Sequence, residues 1–111
     1  MVEVFIARTC RNGMVKVLIG DLTKSEGDVM VTSANNRLAG REGVDALVHD
    51  AAGPKLREAC EAIASERRVL NLQPCPVGTA VLTDAFELPA KKLIHVVGPD
   101  CRRPNQDEGR R

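Results

Sequence analysis

Aromatic residues are nearly missing from this 111-residue sequence, which has no Trp, no Tyr and only Phe5 and Phe86. Stacking platforms for bases are therefore scarce, which argues against a reader of single-stranded nucleic acid. An excess of one charge is missing too. Formal net charge is +1, too small for the basic field that drives non-specific nucleic-acid binding. Cysteine is sparse: Cys10, Cys60, Cys75 and Cys101 form no C-x-x-C step, and His49 and His95 are the only histidines. No zinc motif is spelled out, so neither a metal nor a cofactor is expected. The thiols read as reduced, in an intracellular protein of the cytoplasm or, alternatively, the nucleus. No apolar run approaches the ~20 residues that span a bilayer, so no membrane partner is expected. Residues 1–8 lack the basic and apolar regions of a signal peptide.

What is present is an adequate apolar content, 43%, enough for the core of one domain. Val2–Ala7 and Val15–Ile19 read as strands around an Asn12-Gly13 reversal, the pair predicting a hairpin. Lys24–Asp28 is a loop or short helical turn, and Val29–Thr32 a buried strand. Val44, Leu47, Val48 and Ala51 then fall on one helical face. Gly53 ends that helix and Pro54 opens another, whose apolar positions Leu56, Ala59, Cys60 and Ile63 carry it to about Ala64. Val77–Thr83 contains a strand, Glu87–Lys92 is a connection, and Leu93–Val97 is a nearly continuous apolar strand. The order predicts an α/β fold with a strand-helix-strand crossover. Residues 100–111 are almost wholly polar, a composition expected to be disordered or the start of a helix.

The stretch that carries chemistry is Val29–Ala52. A buried strand ends at Asn35, and a loop with Gly40 and Gly43 opens into a helix. The first turn of a helix leaves backbone N–H groups unpaired at the positive end of its dipole, which suits an anion. Glycine lets the backbone approach a phosphate. A tight connection with no ligand has the same composition. Asn35 reads equally as a turn residue, and Asp45 as a helix-capping carboxylate. His49, one turn after Asp45, reads as a packed helix histidine, and His95 as a satisfied core residue.

At these positions the sequence resembles the macro domain family. Five blocks carry the resemblance: Gly20-Asp21-Leu22-Thr23, Val31-Thr32-Ser33-Ala34-Asn35, Gly43 through Gly53, Cys75 through Ala80, and Leu93 through Pro99. They occur in the family's order over most of residues 15–99. The resemblance implies a three-layer macro domain-like fold with a mixed central sheet, occupying residues 1–99 and incomplete at its C-terminus. It implies ADP-ribose, or ADP-ribosylated proteins, as the partner. Asp21 would bond the adenine amino group, with Leu22 beside it, and Asn35 would hold the distal ribose next to Ala34. Gly40, Arg41, Gly43 and Val44 would line the diphosphate. Asn35 and Asp45 would be the catalytic pair of a MacroD-type hydrolase, which removes ADP-ribose from acidic side chains or deacetylates O-acetyl-ADP-ribose.

Three departures from the family pattern keep other readings open. Arg41 and Glu42 stand where the family has glycine, which favours a non-catalytic ADP-ribose reader. Thr32 replaces an asparagine and is expected to hydrogen-bond locally. The family's later strands and second phosphate loop have no counterpart before Arg111. Truncation, exchange of elements in a homodimer, or rebuilt pairing with the N-terminal strands would each account for that. An inactive remnant serving as an interaction domain is the third functional reading.

Overall fold

Two separate sheets organise the chain, described over residues 3–99 in a computed structural model, with side chains described from Ile6 onward. Strands β1 (Glu3–Cys10) and β2 (Gly13–Ile19) pair antiparallel as the predicted hairpin. The reversal is centred on Arg11 and Asn12, one residue before the Asn-Gly pair. Arg11 takes the left-handed conformation at φ 51°, and Gly13 already faces Cys10 in the ladder. A one-residue irregularity between Val4 and Ile6 shifts the register, which increases the local twist.

The second sheet has the order β3-β5-β4, with β3 at Gly27–Ser33, β4 at Ala80–Asp84 and β5 at Ala90–Val96. β3 runs parallel to β5 and β4 antiparallel to it, so the sheet is mixed. The chain crosses from β3 to β5 through helices α1 (Gly43–Ala52) and α2 (Pro54–Val69) and strand β4. Gly53 joins the helices as predicted, at φ 91°. A Cβ there would lie 2.1 Å from Glu87 Oε2.

Two boundaries differ from expectation. Helix α2 continues five residues past Ala64, because Arg67 and Arg68 favour helix although the buried face ends at Ala64. It stops where Asn71 turns left-handed at φ 60°. Strand β5 starts at Ala90, not Leu93, because Gly27 and Val29 of β3 offer partners to Ala90 and Lys92. The polar segment 100–111 lies outside the described residues.

One face of the second sheet builds the core. Met30 from β3 and Leu93 from β5 meet Val48 and Ala52 of α1 and Leu56 and Cys60 of α2. Full burial of a leucine such as Leu56 or Leu93 contributes about 1.5–3 kcal/mol. Strand alternation turns Val29 and Val31 to the opposite face, each half-exposed. The described residues thus supply two layers, with helices over one face of a mixed sheet. The hairpin packs against no other element among the described residues, and Ile6, Val15, Val17 and Ile19 are exposed on it.

Candidate functional site

The candidate site residues lie at the C-terminal end of β3, in the loop after it and at the head of α1, with the turn after β2 alongside. Helix α1 packs on both β3 and the short 3-10 turn Leu22–Lys24. That contact brings the segment after Asp21 beside the helix that carries Asp45.

Asp21 caps the 3-10 turn. Its Oδ1 accepts hydrogen bonds from the Thr23 hydroxyl at 2.7 Å and the Thr23 amide at 3.0 Å. The Thr23 hydroxyl, then its amide, hold the Asp21 carboxyl below the usual carboxylate range. Asp21 and Leu22 are both exposed. With Lys16 and Leu18 they line a cavity of about 240 Å³.

Asn35 is turned into its own loop. Its Oδ1 accepts from the Arg37 and Ala39 amides, both at 3.0 Å. This leaves the NH₂ of the side chain as the group that can reach a ligand. The loop is pinned from outside as well, because Arg57 Nη1 donates to the Ala39 carbonyl at 2.8 Å. Leu38 is buried with φ 56°, a strained backbone that the surrounding bonds maintain. Ala34 is half-buried, and its amide donates to the Val96 carbonyl at 2.7 Å.

The two loop glycines have different physical reasons. Gly43, at φ 56°, has nothing within 4 Å of where a Cβ would stand, so space opens above it. Gly40, at φ 64°, is buried, and a Cβ there would lie 2.4 Å from two ring carbons of His49. At position 40 the glycine accommodates the imidazole behind the loop.

Helix α1 begins without a side-chain cap. Glu42 stands at the N-cap in extended conformation and makes no capping bond. The first intrahelical bond is Ala46 N–H to the Glu42 carbonyl at 3.2 Å. The amides of Gly43, Val44 and Asp45 precede it, and they face the positive end of the helix dipole. Val44 is half-exposed.

Asp45 is buried, 4% exposed, and its Oδ1 accepts from the Thr32 hydroxyl at 2.9 Å. The local bond expected of Thr32 is thus replaced by one that ties β3 to α1 across 13 positions. Oδ2 takes no protein hydrogen bond among the described residues. Arg41 is exposed and lies apart, lining a cleft of about 370 Å³ with Arg37, Arg57 and Arg68 on the α2 side of the loop. Neither that cleft nor the cavity at Asp21 includes Asn35, Gly43 or Asp45. The site is an open ledge along the head of α1.

Behind the ledge the fold assembles a polar cluster that residue spacing concealed. His49 Nε2 lies 3.9 Å from Asp45 Oδ1. Its ring meets that of His95 edge-on, with centroids 6.0 Å apart. His95 Nε2 shares a 3.0 Å hydrogen bond with the Thr83 hydroxyl, but its Nδ1 has no partner. The expectation of a fully satisfied core residue is therefore only half met. Burial pushes both imidazoles below their usual value near 6.5, against the opposing pull of Asp45. Burial likewise pushes the Cys60 thiol up to about 11.

The histidines make stability depend on pH with a definite sign. In the unfolded chain each titrates near 6.5, whereas in the fold each stays neutral to lower pH. Between those two values the unfolded state binds more protons, so stability rises with pH there. Stability is highest above pH 6.5 and falls below it, by up to about 1.4 kcal/mol per pH unit for each histidine. Urea titrations at pH 7.5 and 5.5 with a chelator present check this. A midpoint that does not fall at the lower pH would contradict it, and His95→Gln should flatten the slope.

Comparison with known proteins adds independent findings. A family model described as Macro domain matches residues 31–111. A macro domain-containing protein of Xanthomonas campestris is 43% identical over 94 residues, which are 85% of this chain and 51% of that protein. The O-acetyl-ADP-ribose deacetylase of Escherichia coli K12 is 44% identical over 94 residues, covering 85% and 50%. Among solved structures, an Oceanobacillus iheyensis macrodomain with ADP superposes with a TM-score of 0.84 at 33% identity, covering 94% of this chain and 53% of that one. A Trypanosoma brucei macrodomain in complex with ADP-ribose gives 0.57 at 36% identity, covering 72% and 31%. The chain spans about half the length of the curated relatives it matches.

Proposed function

Because the chain belongs to the macro domain family, we propose that it binds ADP-ribose along the head of α1 and cleaves an ester on the distal ribose. The ester would be the acetate of O-acetyl-ADP-ribose or the link to an acidic side chain of a protein. Relatives named O-acetyl-ADP-ribose deacetylase and neighbours solved with ADP or ADP-ribose support the reading.

The observation that carries it is the convergence on α1. The uncapped amides of Gly43, Val44 and Asp45 suit a diphosphate, and Asp21 approaches from the 3-10 turn. The Asn35 NH₂ is the donor for the distal sugar. Asp45, fixed through Oδ1 by Thr32, offers Oδ2 to a water. That water adds its oxygen to the ester carbonyl and gives up a proton toward the carboxylate. The acyl–oxygen bond then breaks, and the ribose oxygen leaves with a proton.

Calorimetry with ADP-ribose, paired with assay of acetate release from O-acetyl-ADP-ribose, tests the proposal. Neither heat nor acetate from the folded chain would defeat it. Asp21→Ala should weaken ADP-ribose roughly five- to fifty-fold, the loss expected for a charge-assisted hydrogen bond. Ribose 5-phosphate, which lacks the base, should bind Asp21→Ala as well as wild type. Equal weakening of both ligands would place Asp21 elsewhere than at adenine.

Arg41 and Glu42 favour a second reading, a reader that binds without turnover. The exposed Glu42 carboxylate at the helix head repels a diphosphate. Binding without acetate release in the wild-type chain selects this reading.

A further inference from the structure

The loop after β3 and one face of α2 enclose a groove on the α2 side of that loop. Arg57, Glu61, Ala64 and Arg68 recur at helical spacing on α2. With Arg37 and Arg41 they line the cleft of about 370 Å³. A further cavity of about 450 Å³, reaching Asn71 and Gln73, shares Arg37 and Arg68 with that cleft, so the two make one groove. Its walls are tied together. Arg57 Nη1 donates to the Ala39 carbonyl at 2.8 Å, the Cys75 amide to the Asn36 carbonyl at 3.0 Å, and Arg67 Nε to the Gln73 carbonyl at 2.7 Å. Four exposed arginines line the groove against a single acid, Glu61. None of the four makes an ion pair among the described residues. In a chain whose net charge is only +1, this local surplus focuses potential on an anion.

We propose that this groove binds an extended acidic segment of an ADP-ribosylated protein, so that carboxylates flanking the modified side chain set which targets are cleaved.

The length of the groove suits a chain better than a small ion. Arg57 and Arg68 stand three turns apart on α2, roughly 16 Å at the helical rise. An extended polypeptide covers that span with about five residues. Guanidinium groups match carboxylates with two parallel hydrogen bonds. The side-chain amides of Asn71 and Gln73 offer donors and acceptors to a peptide backbone. No aromatic side chain lines either cavity, so nucleic-acid bases have nothing to stack on. Position supplies the link to the ledge. Arg37 lies two residues after Asn35, and its amide donates to Asn35 Oδ1 at 3.0 Å. A polypeptide hanging from a ribose held at Asn35 therefore starts beside the groove. That choice of substrate rests on the proposed function, whereas affinity for an acidic peptide does not. Glu61 stands between Arg57 and Arg68 on the same face, and its repulsion favours a neutral residue at the middle of the bound segment.

The test uses the full chain and a fluorescein-labelled peptide of alternating glutamate and glycine, free of ADP-ribose, followed by anisotropy at low salt. The peptide should bind, weaken steeply as salt is added and resist displacement by ADP-ribose, while its glutamine counterpart should not bind. Arg37→Gln combined with Arg68→Gln should weaken the acidic peptide about three- to thirty-fold, and Glu61→Gln should tighten it. Arg57 is left in place because it holds the loop. A second arm compares release of ADP-ribose from glutamate-modified peptides with acidic and with neutral flanks, beside acetate release from O-acetyl-ADP-ribose. The double variant should lose the preference for acidic flanks and keep acetate release. A wild-type chain that ignores the acidic peptide, or binds the glutamine peptide equally, overturns the proposal. So does displacement by ADP-ribose, unchanged affinity in the double variant, or tighter binding of a single-stranded oligonucleotide of equal charge. Where the double variant melts without cooperativity, Glu61→Gln decides, and failure to tighten counts against the groove. If neither acetate nor ADP-ribose is released, the proposed function fails, and the anisotropy titration still settles whether the groove takes an acidic peptide.

Discussion

Under the proposed function, Asp45→Asn should slow ester hydrolysis by a factor of about 10²–10⁴ while leaving the fold intact. That range is what a positioned proton acceptor contributes to a reaction of this kind. The asparagine keeps a carbonyl oxygen where Oδ1 stands, so the 2.9 Å bond from Thr32 survives. What disappears is the negative charge that draws a proton from water. Asp45→Ala tests the other half. It loses hydrolysis equally but also leaves the buried Thr32 hydroxyl unpartnered, at about 1–3 kcal/mol of stability. ADP-ribose affinity should stay within a few-fold in both variants, or rise, because a carboxylate near a diphosphate is removed. Parallel acetate-release and urea measurements separate the two effects. Turnover that persists in Asp45→Asn would exclude the carboxylate as proton acceptor.

Gly40→Ala should destabilise the chain by about 2–5 kcal/mol, from two separable sources. A Cβ at position 40 would sit 2.4–2.6 Å from Cγ, Cδ2 and Nδ1 of His49, a residue only 3% exposed. Overpacking of this kind costs roughly 1–3 kcal/mol. The backbone, at φ 64°, adds about 1–2 kcal/mol for a residue with a side chain. Gly43→Ala isolates the second source, because its φ is 56° but nothing lies within 4 Å of its Cβ position. It should lose only about 1–2 kcal/mol. If the clash dominates, Gly40→Ala in a His49→Ala background should cost about the same as Gly43→Ala. Equal losses at positions 40 and 43 in the wild-type background would show that the loop simply moves aside.

The hairpin, both helices, their joint at Gly53 and the central strand were all legible in the sequence. Periodicity reports burial along α2, where Leu56 and Cys60 are buried and Ala59 and Ile63 partly so, but it misplaced the face of α1: of Val44, Leu47, Val48 and Ala51 only Val48 is buried, and the inner face is completed by Asp45, His49 and Ala52. Boundaries were less legible, since Arg67 and Arg68 extend α2 on propensity after the apolar face has ended. The Asn35 turn and the open helix head could be read from residue types. The Thr32–Asp45 bond and the cluster of His49, Cys60 and His95 could not. They join β3 to α1, and α1 to α2 and β5, across separations that carry no periodic signal. Two lone histidines and a lone cysteine, each with an ordinary individual role, gave no reason to group them. The reason for glycine at 40 was hidden in the same way, because the ring it accommodates arrives from the next helix.

The isolation of the β1–β2 ribbon has a thermodynamic consequence. A two-stranded ribbon with apolar groups bare on both sides is barely stable by itself, and this one shares no packing with the β3-β5-β4 body among the described residues. Its amides should lose protection from hydrogen exchange well before those of β5, through openings that leave the body folded. Asp21 sits on the short connection between these two cooperative units. A nucleotide that gripped Asp21 at one end and α1 at the other would couple their melting, and that coupling would be visible as slowed exchange along β2.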